Sequence, residues 1–302
     1  MILLAIPALA LTLASLAAFF GRWSWVLDVL ANFRLQYVLA LGIMALFLFL
    51  GRWNRTALVV LAGALVNLAV VVPLFIGQGR TVPPTEPLVV LSFNLLSPND
   101  RFGEVAGHIS EVDADVVFLH EASRPWEVAM EAANLGYRIT RSRSEEHIFG
   151  TLVLSREGDP VTSFGFTAGG PRAVEVVHDG VAVLGIHPLS ATTAERAALR
   201  NAQLDFAADW SNRQDGPHLV TGDFNATPWS HPFRKLLNDT DLRNSQHGFG
   251  IHATFPADQP FVLRVPIDHL LYSPELTVAD RRLGPTLGSD HFPLTVELWV
   301  PG

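Results

Sequence analysis

Three long stretches without a single charged side chain open this chain, and they constrain its architecture more than anything that follows. Met1–Phe20, Leu35–Leu50 and Thr56–Gly77 contain no Asp, Glu, Lys or Arg. A helix needs about 20 apolar residues, usually about 17–25, to cross the hydrocarbon of a bilayer. The first and third stretches meet that length, and the second does so if Gly51 or part of Ala31–Arg34 joins it. Trp23, Trp25, Tyr37 and Trp53 flank these stretches, as amphipathic rings do at a membrane interface. Met1–Phe20 lacks the basic start of a cleaved signal peptide, so a retained helix is expected. A buried hairpin of a soluble protein is the alternative, and three such runs in tandem argue against it. The sequence therefore predicts an N-terminal transmembrane helical region of about three helices over residues 1–77. A stiff Pro-rich linker (QGRTVPPTEP) follows over 78–87, and one domain over 88–302.

The second part has the opposite character. Residues 81–302 hold all eleven histidines and 28 of the 29 acidic residues against 16 of the 21 basic ones, a net charge of −12. Affinity for a long polyanion comes mainly from basic side chains that release counterions, so nucleic acid is disfavoured as a partner. The basic groups Arg138–Arg141–Arg143 and Arg281–Arg282 read as solvated surface. With no cysteine, the chain has no disulfide framework and no thiol nucleophile. Strand-like runs at Pro87–Leu91, Val116–Leu119, Thr151–Leu154, Ala173–Val177, Val181–Ile186 and Leu219–Thr221 alternate with helical patterns at Glu104–Glu111, Arg124–Asn134 and Ala194–Trp210, an α/β arrangement.

Polar residues recur just after these apolar runs. The decapeptide TGDFNATPWS (Thr221–Ser230) follows one such run, and Asp223 and Asn225 share a direction if the backbone is extended. Asn94 ends Ser92-Phe93-Asn94, Glu121 follows Val117–His120, and His187 follows Leu184–Ile186. Asp268 lies in Ile267-Asp268-His269, and Asp290 and His291 in Gly288–Pro293. Residues at the mouths of several strands converge in space in open α/β sheets. Taken singly, each has a plainer reading. Glu121 could cap the helix starting near Arg124, and His187 before Pro188 could simply end a strand. His120, His231 and His269 read as structural histidines, His147 as part of a solvated loop, and Arg200 as a surface or sheet-edge contact.

The ordered set SFN, HEA, GTLVLSR (Gly150–Arg156), GIHP, GDFNATP, IDH and GSDHFP resembles the endonuclease/exonuclease/phosphatase superfamily of metal-dependent phosphoesterases, over about Leu88 to Leu298. The resemblance implies a four-layer α/β sandwich of two mixed sheets flanked by helices, with the site at one rim. It implies that Glu121, Asn94 and Asp290 hold Mg²⁺ (or Mn²⁺), since hard oxygen donors suit these ions. Asp223 would orient or deprotonate the attacking water, and Asn225 would hold the phosphoryl group. His291 would contact the scissile phosphate with Asp268 behind it, and His187 would supply the second imidazole. Two positions depart from some nuclease branches: His187 replaces a Tyr, and Leu96 replaces an acidic residue that would add to the metal site.

The expected activity is hydrolysis of a phosphate mono- or diester, on a lipid-linked or small phosphorylated substrate. An endo- or exonuclease is the alternative, and a non-catalytic membrane-bound binding protein is the alternative of another class. The bilayer and the phosphorylated substrate are the partners implied, and no protein partner is evident. Arg52 and Arg55 lie in one loop, while Arg22, Arg34 and Arg80 lie on the side of the second domain, a near balance. Members with this layout can face outward, so the expected location is a bacterial plasma membrane with the second domain outside.

Overall fold

The computed structural model describes residues 2–77, 79–142, 150–156, 158–166 and 171–300. His147 and Arg143 lie outside the described residues. Helix α1 (Ile2–Ala17) continues through a 3₁₀ segment to Trp23. Helix α2 (Trp25–Leu30) runs through a 3₁₀ turn into α3 (Arg34–Leu50), and α4 (Asn54–Val71) runs on to Phe75. Three units result, Ile2–Trp23, Trp25–Leu50 and Asn54–Phe75, each long and apolar enough to cross a membrane. The second gains its length from the N-terminal side, and so takes in Asp28 and Arg34.

Small side chains let these helices approach closely. Ala5, Ala8, Ala45, Ala57 and Ala64 pack with Leu41, Leu48 and Val60. A Cβ at Gly63 would stand 2.7 Å from the Thr12 methyl, so α4 meets α1 only because that side chain is missing. A polar knot ties the three together. The Arg34 guanidinium donates to the Ser15 carbonyl (2.8 Å) and to Asn67 Oδ1 (2.7 Å), and Asn67 Nδ2 donates to Ser15 Oγ (2.9 Å). Arg34 is therefore internal to the bundle, not a flanking charge as its place in the sequence suggested.

The second part is built from twelve strands and four helices among the described residues. In chain order they are β1 (Leu88–Asn94), α5 (Phe102–Val112), β2 (Val116–His120), α6 (Arg124–Ala133), β3 (Arg138–Ser142), β4 (Thr151–Ser155), β5 (Val161–Gly165), β6 (Arg172–His178), β7 (Val181–Ile186), α7 (Ala194–Ser211), β8 (His218–Asp223), α8 (His231–Asn238), β9 (Arg243–Asn244), β10 (Asp268–Tyr272), β11 (Thr277–Leu283) and β12 (Leu294–Trp299). They form two mixed six-stranded sheets, ordered β11-β12-β1-β2-β4-β3 and β5-β6-β7-β8-β10-β9.

Alternation along the strands explains the layering. Val116 and Phe118 of β2 face the other sheet, where they meet Val174, Val183 and Leu219, while Val117 and Leu119 face Ile109 of α5 and Trp126 of α6. Likewise Leu219 of β8 points between the sheets and Val220 points to Leu204 of α7 and Phe233 of α8. Strands buried on both faces read as continuous apolar runs, and the result is helix, sheet, sheet, helix.

Candidate active site

The direction of the central strands sets where the polar residues meet. β1 pairs in parallel with β2, and β7 with β8. Their C-terminal ends deliver Asn94 and Glu121 from one sheet, and His187 and Asp223 from the other, to one rim of the sandwich. β10 runs antiparallel to β8 with Asp268 opposite Asp223, so its first residue starts at the same rim. β12 runs antiparallel to β1 with Leu294 opposite Ser92, which sets Asp290 and His291 there as well. All eight residues singled out from the sequence thus reach one edge of the molecule.

Their hydrogen bonds define the arrangement. Asn94 Nδ2 donates to Glu121 Oε1 (3.1 Å) and to Asp223 Oδ2 (3.2 Å), while its Oδ1 accepts from the Leu96 amide (3.0 Å). With two carboxylates on one side and an N–H on the other, only this orientation of the amide satisfies its neighbours. Glu121 Oε2 accepts from the Ser97 amide (3.2 Å), so this carboxylate does not cap α6. The His291 Nδ1–H donates to Asp268 Oδ2 at 2.8 Å, and its Nε2 faces Asp223 Oδ2 at 3.8 Å. His187 Nε2 lies 3.5 Å from Asp223 Oδ2 and 3.8 Å from Glu121 Oε1. Asp223 Oδ1 accepts from the Asn225 amide N–H (2.9 Å), and Asn225 Nδ2 donates to the Pro188 carbonyl (2.9 Å).

Local backbone geometry aims these groups. Leu96, Glu121 and Asn225 have φ of 61°, 56° and 48°, a left-handed region costly for residues with a side chain, by about 1–2 kcal/mol each. Gly222 has φ of 139°, and a Cβ there would run into the Ile186 carbonyl and stand 3.0 Å from His120 Nε2. Only glycine lets β8 pass so close to the end of β7.

Burial and charge then act on the ionisable groups. Asp223, Asp268 and His291 place one donor atom each within 4.8 Å of one another, a buried acid–acid–imidazole cluster. Burial alone would strip the proton from His291, but the Asp268 and Asp223 charges outweigh it and raise its pKa to about 10. Burial would raise Asp223, yet the charge of His291 and the hydrogen bond to His187 hold it well below the usual carboxylate range. For His187, burial pulls downward and Asp223 overcomes it, so its pKa is raised. Burial, opposed by His291 and reinforced by Glu121 and Asp223, raises Asp290. The rim thus holds an imidazolium between two carboxylates, next to a second group of acids that repel one another.

Other residues complete the rim without a local signal of their own. Ser289 Oγ donates to the Asn94 carbonyl (2.6 Å) and accepts from the His291 amide (3.0 Å), which fixes the His291 loop to the end of β1. Phe255 packs on the His291 ring at 4.9 Å. Arg281, read from the sequence as surface, is buried; it donates to the Asp268 carbonyl (3.3 Å) and to Ser245 Oγ (2.7 Å). His120 is buried between Ser92 and Thr151 with its pKa pushed down by burial to about 3. His269 points away from the rim, onto the Ala226 carbonyl at 2.8 Å.

Arg200 is a further correction. It is no surface contact: its guanidinium donates to Asp28 Oδ2 of α2 at 2.7 Å, with both side chains almost wholly buried. It also donates to the Asn225 carbonyl (3.3 Å). The other Asp28 oxygen accepts from the His231 amide at 2.6 Å. Thr227 donates to Asn32 (3.0 Å) and Trp229 Nε1 to the Val70 carbonyl (3.0 Å). The apolar N-terminal helices therefore grip the loop that carries Asp223 and Asn225.

The model of the Endonuclease/Exonuclease/phosphatase family matches residues 91–291. No curated protein matches the chain in sequence. Among solved structures, an endonuclease/exonuclease/phosphatase from Bacteroides vulgatus is similar at 16% identity and a TM-score of 0.60, over 72% of this chain and 100% of that one. A D. rerio TDP2 complexed with single strand DNA product is similar at 15% identity and a TM-score of 0.60, over 72% and 100%. The human Nocturnin catalytic domain with bound sulfate anion is similar at 19% identity and a TM-score of 0.54, over 72% and 94%.

Proposed function

Because the chain belongs to the endonuclease/exonuclease/phosphatase family, whose members usually hydrolyse phosphoester bonds, we propose that it is a membrane-anchored, divalent-metal-dependent phosphoesterase. One observation carries this reading: His291 is clamped between Asp268 and Asp223 at the same rim where Glu121, Asn94 and His187 converge. The substrate is a small or lipid-linked phosphate ester. The TDP2 structure shows single-stranded DNA product on that protein, but a net charge of −12 over residues 81–302 repels a polyanion, which leaves a nuclease second.

The residues fit a hard cation. Glu121 and Asp290 offer carboxylates beside Asp223; burial above all, and then the charges of Glu121 and Asp223, raise Asp290, and a bound cation would offset both. Mg²⁺ or Mn²⁺ held by Glu121 and Asp290, with Asn94 in its coordination or hydrogen-bond shell, would neutralise phosphoryl oxygens and lower the pKa of bound water. The remaining work falls to the chain. Asp223, kept ionised, orients the attacking water and accepts its proton. The cationic His291, its ring orientation fixed by Asp268, donates through Nε2 to a nonbridging oxygen. Asn225 holds the phosphoryl group, and His187 gives a proton to the leaving oxygen.

The three apolar units are the membrane anchor, residues 78–87 the linker and 88–302 the catalytic domain, which faces outward from a bacterial plasma membrane. The test uses the full chain in vesicles, with DNA, RNA, phospholipids, lipid pyrophosphates and inositol phosphates as substrates. Excess chelator abolishes hydrolysis, Mg²⁺ restores it, and Glu121→Gln raises the metal concentration required. Undiminished hydrolysis in chelator would exclude the metal role.

A further inference from the structure

The turn Phe261-Val262-Leu263 exposes three large apolar side chains in a row, at 48, 46 and 54% of their surface. It is a 3₁₀ turn closed by the Leu263 amide donating to the Pro260 carbonyl (2.9 Å) and the Arg264 amide to the Phe261 carbonyl (3.1 Å). Runs of exposed apolar residues on a folded surface usually mark a binding face. Here the place of the turn identifies what it binds. Gln36 Nε2 donates to the Val262 carbonyl and the Arg264 carbonyl, both at 3.0 Å. Gln36 lies at the start of the charge-free run Leu35–Leu50, one residue after it begins. Helical spacing puts it above Ile43 and Leu50, which are 57 and 69% exposed, on the outward-facing stripe of α3. That stripe is the surface which lipid covers if the helix spans.

The level of the turn follows from the other contacts. The helices meet the catalytic domain through Asp28, Asn32, Gln36, Val70 and Leu74, all at the end of the bundle away from Arg52 and Arg55. The turn is itself one of these contacts, through Gln36, so it stands at the end of the bundle where acyl chains would give way to headgroups if the helices span. Its stem is part of the catalytic rim. Phe255 pairs with Val265 and packs on His291, the Ala257 amide donates to the Asp290 carbonyl (2.7 Å), and Arg264 lies over Phe292 at 4.6 Å.

We propose that Phe261–Leu263 is a wedge inserted in the bilayer, which seats the catalytic rim at headgroup level so that the phosphoester attacked is one carried on a membrane lipid. The wedge stands on geometry alone, while the lipid substrate rests on the phosphoesterase reading above. A phosphate at the headgroup plane then reaches Asn225 and His291 without leaving the membrane, and the apolar turn covers the lipid tail as the head tips into the rim.

The native chain has no cysteine, so Val262→Cys takes one environment-sensitive fluorophore in the full-length protein in phosphatidylcholine/phosphatidylglycerol vesicles. Asp179→Cys, whose side chain is 92% exposed beside His178, is the control. Lipids with a nitroxide high on the acyl chain quench the label at 262 and not at 179. Absence of quenching at 262 would overturn the wedge. For the substrate, Phe261→Ser/Leu263→Ser lowers turnover of a fluorogenic phospholipid in vesicles about tenfold or more, as misplacement of a reacting group does, and leaves hydrolysis of soluble bis(p-nitrophenyl) phosphate unchanged. Equal loss on both substrates would overturn the lipid assignment. Wild-type protein that hydrolyses neither would overturn the phosphoesterase reading, and the quenching would still decide the wedge.

Discussion

Replacing Asp28 is the sharpest way to ask whether the N-terminal helices belong to the working enzyme. Asp28 and Arg200 are paired at 2.7 Å with side chains 3 and 2% exposed. Taking away one partner of such a pair strands the other charge in a low-dielectric interior, at a cost of about 3–5 kcal/mol. Asp28→Ala also frees the His231 amide at the start of α8, which the other carboxylate oxygen accepts from at 2.6 Å. Arg200→Met fills similar volume and carries no charge, so the double variant Asp28→Ala/Arg200→Met should be less destabilised than the two single changes summed. Denaturant unfolding of the full chain in detergent, followed by tryptophan fluorescence, closes this cycle. Activity supplies a separate readout, because Arg200 also donates to the Asn225 carbonyl. Asp28→Asn keeps an oxygen for His231, and it should lower kcat on the order of tenfold to a hundredfold with KM little changed. Stability of Asp28→Ala within about 0.5 kcal/mol of wild type, the range of an inert surface change, would refute the reasoning.

The remaining expectations follow from charge and access. Asp268→Asn removes the group that keeps His291 protonated, so kcat should fall by roughly 10²–10⁴. The alkaline limb of the rate profile should move to lower pH by about 1–3 units, while circular dichroism stays native. Burial pushes His120, His252 and His269 down to about 3, about 4 and about 3. Below about pH 6.5 the unfolded chain takes up protons that the folded one refuses, so stability is lost as pH falls from about 6.5 toward 4. The limiting slope is about 1.4 kcal/mol per pH unit for each histidine, and urea titrations at several pH values should find a shallower slope for His252→Gln. An impermeant thiol reagent on intact cells should label Asp179→Cys and spare Asn54→Cys until the membrane is opened. The reverse pattern would place the catalytic domain in the cytoplasm.

Much of the rim was legible because Asn94, Glu121, His187 and Asp223 each close or follow a short apolar run, and such runs form strands with both faces buried. Asn94, Glu121, His187 and Asp223 needed no knowledge of pairing to be noticed. The strands that escaped notice carry polar or half-exposed residues, such as Val161–Gly165 at a sheet edge, or span only Arg243 and Asn244. The misreadings of Arg200 and Arg281 share one cause. Nothing in the neighbouring sequence tells a buried arginine from a solvated one, because its partner is chosen by the fold. Asp28 lies 172 positions before Arg200, and the Asp268 carbonyl that accepts from Arg281 belongs to a different strand of the other sheet. The sole acid of the first 80 residues carried a hint, since a carboxylate in an apolar segment needs a counter-charge.

The pairing of β1 with β12, Leu88 opposite Leu298, has a consequence for biosynthesis. Translation delivers the helices α1–α4 before β1, but β12, the strand that fills the place between β1 and β11, follows every other strand of the two sheets. Until then β1 keeps an unpaired edge, the kind of surface on which other chains nucleate aggregates. Asp290 and His291 arrive just ahead of that strand, so the nascent domain holds no complete rim while it is being made. A chain cut short before Leu294 would lack the partner of β1 and keep an open strand edge for quality control to recognise.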